Sequence, residues 1–573
     1  MKLLQKITWK SLVVAVLVLG IFWGVALRLI HFGAVPIGTY WDETAIMIDA
    51  NSVASTGLDM HGNTWLQAIF PSYGDYKLPV FIWFAAALKM VVASPLLATR
   101  LPALLVGLLT PILAGLIMIE LTASWQIKSR QWFAASAVFV SALSFWGIHF
   151  SRVGFEGYLA QFLIGISVLC LLKAKRKPWL WLSAGLLGGV TIFTYYSARF
   201  VWPLLWLFFL LPVLRKWVVS IRQKKLRLSF GRLAWPALAA VIFVGALLLM
   251  SNSPYYQASQ QFRLSSDSIL NIAPFVERAN QYQAMEGHTL LSKIVFHRNL
   301  LQARALLTNM TKNLSPQFLF FTGDSNLRHG TGFFGLFPMI FLPLLLIGLV
   351  SLYRHHRASG ALLGLWWLTA LVPASVPYDV PHALRSLNAL IPISLVIAFG
   401  LATVIQMRKK WGRALVLSVF AVLFFELVAF THYYFVEYPS ISAPAWQAGY
   451  HELADLVWKN QSQLDRVWVN TNDGRTFLWF LADGPLAASE IQKLPWHEYE
   501  LTQIENIRFE DFVYDPELFP TTPIAIAGKR EQLVQNIALA KLTPTAVVPV
   551  LDQTGSEQFV VAFFNISQDQ LLL

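Results

Sequence analysis

The chain has 573 residues, of which 56% are hydrophobic and only 13% charged, with 22 Trp and one Cys. A soluble domain carries roughly 25% charged residues, so this balance excludes a single soluble globule and points to a polytopic membrane protein. The net charge of +13 does not mark a nucleic-acid binder, because 22 of the 44 Lys and Arg fall in six short segments without Asp or Glu: 1–10, 122–132, 173–179, 215–232, 352–360 and 406–413.

Apolar runs of membrane-crossing length recur along the chain. Crossings are predicted near 11–30, 101–121, 133–150, 158–172, 180–196, 201–214, 233–250, 333–351, 361–377, 387–405 and 413–431, eleven in all. The positive-inside rule puts the six basic segments in the cytoplasm, with the N-terminus inside and the C-terminus outside. The first run is long and no small-residue cleavage site follows, so it reads as an uncleaved span. Residues 78–94 are short, contain Lys89 and precede no basic cluster. Counting them as a crossing would invert every later loop, so a helix at the outer interface is expected there. Cys170 lies in a predicted span, which leaves no intramolecular disulfide and no cysteine metal site.

Three regions then face outside: 31–100, 251–332 and the tail. From residue 440 the chain has 17 acidic and 8 basic residues. Residues 445–461 read as an amphipathic helix, and 465–471, 522–528, 545–550 and 558–564 as strands. The expected organisation is a membrane domain, 1–439, followed by a small α/β domain, 440–573, on the outer side.

On this topology the outer turns carry the charge. Asp42, Glu43, Asp49, Asp75 and Lys77 lie in the first loop, and Arg100 opens the second span. His149, Arg152 and Glu156 sit between spans three and four. Tyr195, Tyr196 and Arg199 sit between five and six. Asp324, Arg328 and His329 end the long loop. Tyr378, Asp379, His382 and Arg385 lie between nine and ten. A carboxylate at a membrane surface is costly unless it meets water, a partner or a substrate. Arg offers a fork of donors that suits phosphate oxygens, although any single Arg at a helix end also reads as snorkelling to headgroups. Glu426, inside the last span, implies a partner on a neighbouring helix.

The ordered set resembles the GT-C class of membrane glycosyltransferases, in particular the protein O-mannosyltransferase and aminoarabinose transferase superfamily. The resemblance rests on Trp41-Asp42-Glu43, Tyr76-Lys77-Leu78-Pro79, Arg100-Leu101-Pro102, Ser151-Arg152 with Glu156, the run from Gly323 to His329, and Pro381-His382-Ala383-Leu384-Arg385. It covers roughly residues 1–440. It implies a GT-C fold and an inverting enzyme that moves a sugar from a polyprenyl-phosphate donor to a hydroxyl on a protein, lipid or glycan. The implied catalytic residues are Asp42 as general base, with Glu43 and Glu156. Lys77, Arg100, Arg152, Tyr196, Arg199, Arg328, His382 and Arg385 are the implied donor-binding set. The aminoarabinose transferase has a Glu before its Lys, in a metal site. Tyr76 stands here instead, so no metal is carried over and no cofactor is required, with a divalent ion left open. The expected setting is a bacterial cytoplasmic membrane. The alternative is a secondary transporter or lipid flippase, which would place binding residues near the bilayer midplane on repeated halves. A non-catalytic glycan-binding scaffold would leave the first-loop carboxylates without a role.

Overall fold

The computed structural model describes residues 8–222, 226–264, 268–407, 410–471, 474–512, 522–539 and 541–572. Parts of three basic segments (1–7, 223–225 and 408–409) lie outside the described residues. Most of the described residues are helical. Among the described residues, seven helices are long and apolar enough to cross a membrane: Trp9–Leu29, Pro95–Leu121, Glu156–Lys173, Ala198–Val219, Leu233–Ser251, Leu387–Ile405 and Lys410–Ser442. The other four expected crossings correspond to shorter, broken or more polar helices. Leu180–Ile192 has 13 residues and Phe341–His355 has 15. Arg357–Ala374 opens on Arg357. The expected span 133–150 is interrupted: Ile127–Ala142 ends, and Ser144 starts the short helix Phe145–Phe150 by accepting the Gly147 N–H at 3.3 Å.

By packing the chain divides into two units, Met1–Ile30 with Ala103–His432, and His31–Pro102 with Tyr433–Leu573. In the first, the helix ending at Ile405 is the core: 94% of its span is buried, against 28% for Leu233–Ser251. Phe341–His355 crosses it at glycines. A Cβ on Gly348 would meet the Val396 carbonyl, and one on Gly400 the Leu344 carbonyl, the close backbone approach that small residues permit between membrane helices. The helices at Leu233–Ser251 and Lys410–His432 expose Val241, Leu248, Leu249, Phe424 and Phe425, as a lipid-facing surface requires. Glu426 finds its partners: its carboxylate accepts the N–H groups of Met339 (2.7 Å) and Ile340 (3.2 Å), which precede Phe341–His355 and have no intrahelical acceptor. The long loop folds into helices Tyr256–Leu264, Ala273–Met285, Leu290–Val295 and Arg298–Leu314. Asn309 and Asn313, each in an Asn-x-Ser/Thr triplet, are buried; they bond the Ser375 carbonyl and hydroxyl respectively.

The second unit is built on helix Trp41–Thr56, which stops at Gly57 with φ 74°. A two-stranded hairpin follows, β1 (Phe70–Pro71) and β2 (Tyr76–Lys77), with Phe70 opposite Lys77 and Gly74 at φ 77° in its turn. Helix Pro79–Lys89 has 11 residues, about 16 Å, too short to cross a bilayer core of about 30 Å. The tail forms a six-stranded mixed sheet from β3 (Arg466–Val469), β4 (Gln503–Ile504), β5 (Ile507–Phe509), β6 (Ile524–Gly528), β7 (Ala546–Leu551) and β8 (Glu557–Phe564), in the order β4-β5-β3-β6-β8-β7. Strand β3 pairs in parallel with β5 and β6. The four strands read from sequence are β3, β6, β7 and β8, and the amphipathic helix is Tyr450–Asn460. One apolar core joins both segments of the unit: Ala45, Ile48, Met60 and Tyr73 pack with Tyr450, Val467, Trp479, Phe480 and Val561.

Candidate active site

Asp42 and Glu43 both lie in the first turn of Trp41–Thr56, where the exposed N–H groups favour negative charge. The Trp41 N–H donates to Gln447 Oε1 at 3.0 Å, which fixes the start of this helix. Successive helical residues point about 100° apart, so the two carboxylates meet different surroundings.

The Asp42 carboxylate is 29% exposed. Its Oδ1 accepts from the Tyr73 hydroxyl and the Lys77 ammonium, while its Oδ2 has no partner among the described residues. The hairpin supplies this anchor, since Tyr73 and Asp75 lie in its turn and Lys77 on β2. Lys77 is buried and also pairs with Asp75 at 2.6 Å. Burial, then the Asp42 charge, push the Tyr73 phenol well above its usual range, so it stays protonated and donates.

Glu43 is fully buried. It forms a two-point pair with Arg100, from Nε and Nη2, both at 2.8 Å. The rest of the guanidinium donates to the carbonyls of Gly33, Pro36 and Gly38. This geometry pins the chain before the helix to Arg100 and occupies the fork that a phosphate would use. Deeper in the unit, burial holds the Asp49 carboxyl well above the usual carboxylate range.

The remaining expected residues belong to the membrane unit. Arg152 is buried and donates to the Leu27 and Arg28 carbonyls. Glu156 opens its helix. Tyr196 bonds Ser259 at 2.6 Å, and the Arg199 guanidinium lies 4.4 Å from the Tyr196 ring. The Arg328 carbonyl contacts His149 Nε2 at 2.9 Å. Arg385 Nη1 donates to the Asp379 carbonyl at 3.4 Å.

His382 meets His329, ring to ring, at 4.4 Å. With Asp324 they place three ligand atoms within 4.8 Å of one another, all buried. Burial pushes Asp324 up to about 6. Burial first, then neighbouring cationic groups including Arg328 and Arg385, hold both imidazoles well below their usual range. They are neutral at pH 7, the form that binds metal. His329 Nδ1 is 3.7 Å from Asp324, too far for a hydrogen bond, and is buried without a hydrogen-bond partner among the described residues. This trio is a donor set able to hold a divalent ion.

Sequence reasoning missed Tyr73, Gln447 and Arg475 as parts of the first cluster. Arg475, in the tail, lies 4.9 Å from the Trp41 ring and 4.6 Å from the Tyr73 ring, and its Nε donates to the Tyr73 carbonyl at 3.2 Å. Tyr73 could have been flagged from Tyr-Gly-Asp-Tyr-Lys, a turn signal two residues before the acidic-basic pair. Arg475 carried no signal, being some 400 residues away.

No protein family matches the chain by sequence, and no curated relative does. Solved structures do match. ArnT from Cupriavidus metallidurans, in its apo state, is 12% identical, with 99% of each chain covered and a TM-score of 0.50. The same protein bound to undecaprenyl phosphate gives 12%, 98% of each chain and 0.50. The archaeal oligosaccharyltransferase AglB from Archaeoglobus fulgidus, in complex with an inhibitory peptide and a dolichol-phosphate, is 13% identical over 99% of this chain and 76% of its own, with a TM-score of 0.49. The full-length match to ArnT establishes the fold: the chain has the GT-C membrane fold that the motif order implied.

Proposed function

We propose that this protein is a glycosyltransferase that moves a sugar from a polyprenyl-phosphate donor to an acceptor hydroxyl at the outer membrane face, with inversion. The observation that carries the reading is the division of labour within Asp42: Oδ1 is anchored by Tyr73 and Lys77, and Oδ2 is open on a part-exposed carboxylate. A general base needs this arrangement, a fixed carboxylate with one oxygen free to receive a proton. The acceptor oxygen attacks the anomeric carbon, its proton passes to Asp42 Oδ2, and the bond from that carbon to the phosphate oxygen breaks. The electron pair leaves with the polyprenyl phosphate. A single displacement of this kind inverts the anomeric centre, as in the one-step logic of inverting glycosidases.

The leaving phosphate needs cations. Lys77, Arg152, Arg199, Arg328 and Arg385 are the candidates, with His382 and Tyr196 as further donor contacts and Glu156 as a second carboxylate. Glu43 and Arg100 act through the backbone they hold. ArnT, which shares the fold, binds undecaprenyl phosphate, and this supports a lipid-phosphate carrier here. The test is a panel of polyprenyl-phosphate sugars offered to the purified protein with peptide, lipid and glycan acceptors. One donor is consumed, lipid phosphate is released, and the product has the opposite anomeric configuration. Retention of configuration removes the single-displacement mechanism, and consumption of none removes the reading.

A further inference from the structure

We infer that Arg475 forms a phosphate subsite beside Asp42, supplied by the tail and taking the phosphate of the lipid donor; this rests on the lipid-linked glycosyltransferase reading. Lys77 is the cation nearest Asp42, but its ammonium is shared between the carboxylates of Asp42 and Asp75. Those three groups carry a formal net charge of −1, a surface that repels a phosphate. Arg475 brings the cluster to neutrality and pairs with no carboxylate among the described residues. Its guanidinium lies over the Trp41 and Tyr73 rings, and its Nε is bonded to the Tyr73 carbonyl. Nη1 and Nη2 have no partner among the described residues, and the side chain is half-buried. Stacking holds the guanidinium by its face and leaves its donor edge open. That edge presents two parallel N–H groups of the spacing that phosphate oxygens accept. A stacked Arg also loses less freedom on binding than a solvated one.

The position has a chemical consequence. Tyr73 is the shared element: its hydroxyl holds Asp42 and its carbonyl holds Arg475. The proposed base and the phosphate subsite are therefore set by one residue, so that an anion bound at Arg475 is registered against Asp42.

The test uses the full-length protein in nanodiscs, titrated in separate arms with undecaprenyl phosphate, undecaprenol and sodium phosphate, with binding read by thermophoresis. Wild type binds undecaprenyl phosphate and not undecaprenol. Arg475→Gln weakens binding about tenfold or more, the loss expected for a charge-assisted pair. Arg475→Lys, which keeps the charge and loses the fork, falls between the two. Arg530→Gln, which removes an exposed tail cation paired with Glu557, keeps wild-type affinity and controls for net charge. Wild-type affinity in Arg475→Gln overturns the subsite. If that variant melts at a lower temperature than wild type, Arg475→Lys decides, and unchanged affinity in it overturns the subsite. Sodium phosphate binding that depends on Arg475, without undecaprenyl phosphate binding, keeps the subsite and removes the lipid donor. If wild type binds neither phosphate, the subsite is overturned.

Discussion

Asp42 and Glu43 are adjacent in the chain and differ in every physical respect. Asp42 is part-exposed and anchored through one oxygen, whereas Glu43 is sealed against Arg100. A buried ion pair is costly to break because the survivor is left charged and unpaired, about 3–5 kcal/mol. Glu43→Ala and Arg100→Ala should each destabilise by that order. The double Glu43→Leu/Arg100→Met variant should recover only part of the loss, because the Gly33, Pro36 and Gly38 carbonyls still lose their donor, as read by thermal unfolding of the purified protein. Equal stability of the single variants and wild type would contradict a structural role. The sequence made the pair conspicuous and could not divide its roles, because burial of Glu43 depends on carbonyls of residues 33–38 meeting a side chain more than 60 positions on.

At the scale of elements, hydropathy alone located the seven long helices, because a bilayer imposes length and apolarity on each segment separately. It failed at the helix break near Ser144, which depends on a cap inside an apolar run. It also missed β4 and β5, whose two and three residues are too few to show a period. Glu426 is instructive: an acidic residue in a span demanded a partner, and the partner is backbone. Glu426→Ala should leave the Met339 and Ile340 N–H groups without an acceptor and cost about 1–3 kcal/mol. Glu426→Gln, which keeps one acceptor, should cost less. Thermal unfolding of the two variants in detergent checks the order, and a reversed order would remove the capping role.

At the scale of the whole molecule, the sequence drew its boundary at residue 439, while packing groups residues 31–102 with 433–573. The candidate base thus rests on a core completed by the tail. A chain ending at residue 440 should lose Tyr450, Val467 and Trp479 from that core, and should show rapid proteolysis within residues 41–77 and no transfer. Protection of 41–77 in the truncated protein would contradict the shared core. The same unit holds His61 against Trp496 and Tyr499, with ring separations of 4.3 and 5.1 Å. Burial lowers the His61 imidazole to about 3 from 6.5. Its folded value is depressed, so its contribution to stability is present above pH 6.5 and is lost as pH falls toward 3. Near pH 4.5 the loss is about 3 kcal/mol. His61→Phe should flatten this part of the stability–pH curve, and an unchanged slope would remove His61 as its source.

Much of the first cluster was legible in Trp-Asp-Glu and Tyr-Lys-Leu-Pro, since those residues are local and chemically conspicuous. Arg475 was not, because nothing in a tail of mixed charge marks which Arg returns to the first loop. The central claim is that Asp42 takes the acceptor proton, and its most direct test is Asp42→Asn. The variant keeps a hydrogen-bonding side chain against Tyr73 and Lys77 and removes the base. The purified variant should unfold at the wild-type temperature within a few degrees, yet turn over a polyprenyl-phosphate sugar about 10²–10⁴-fold more slowly. Wild-type turnover by a folded Asp42→Asn protein would contradict the account.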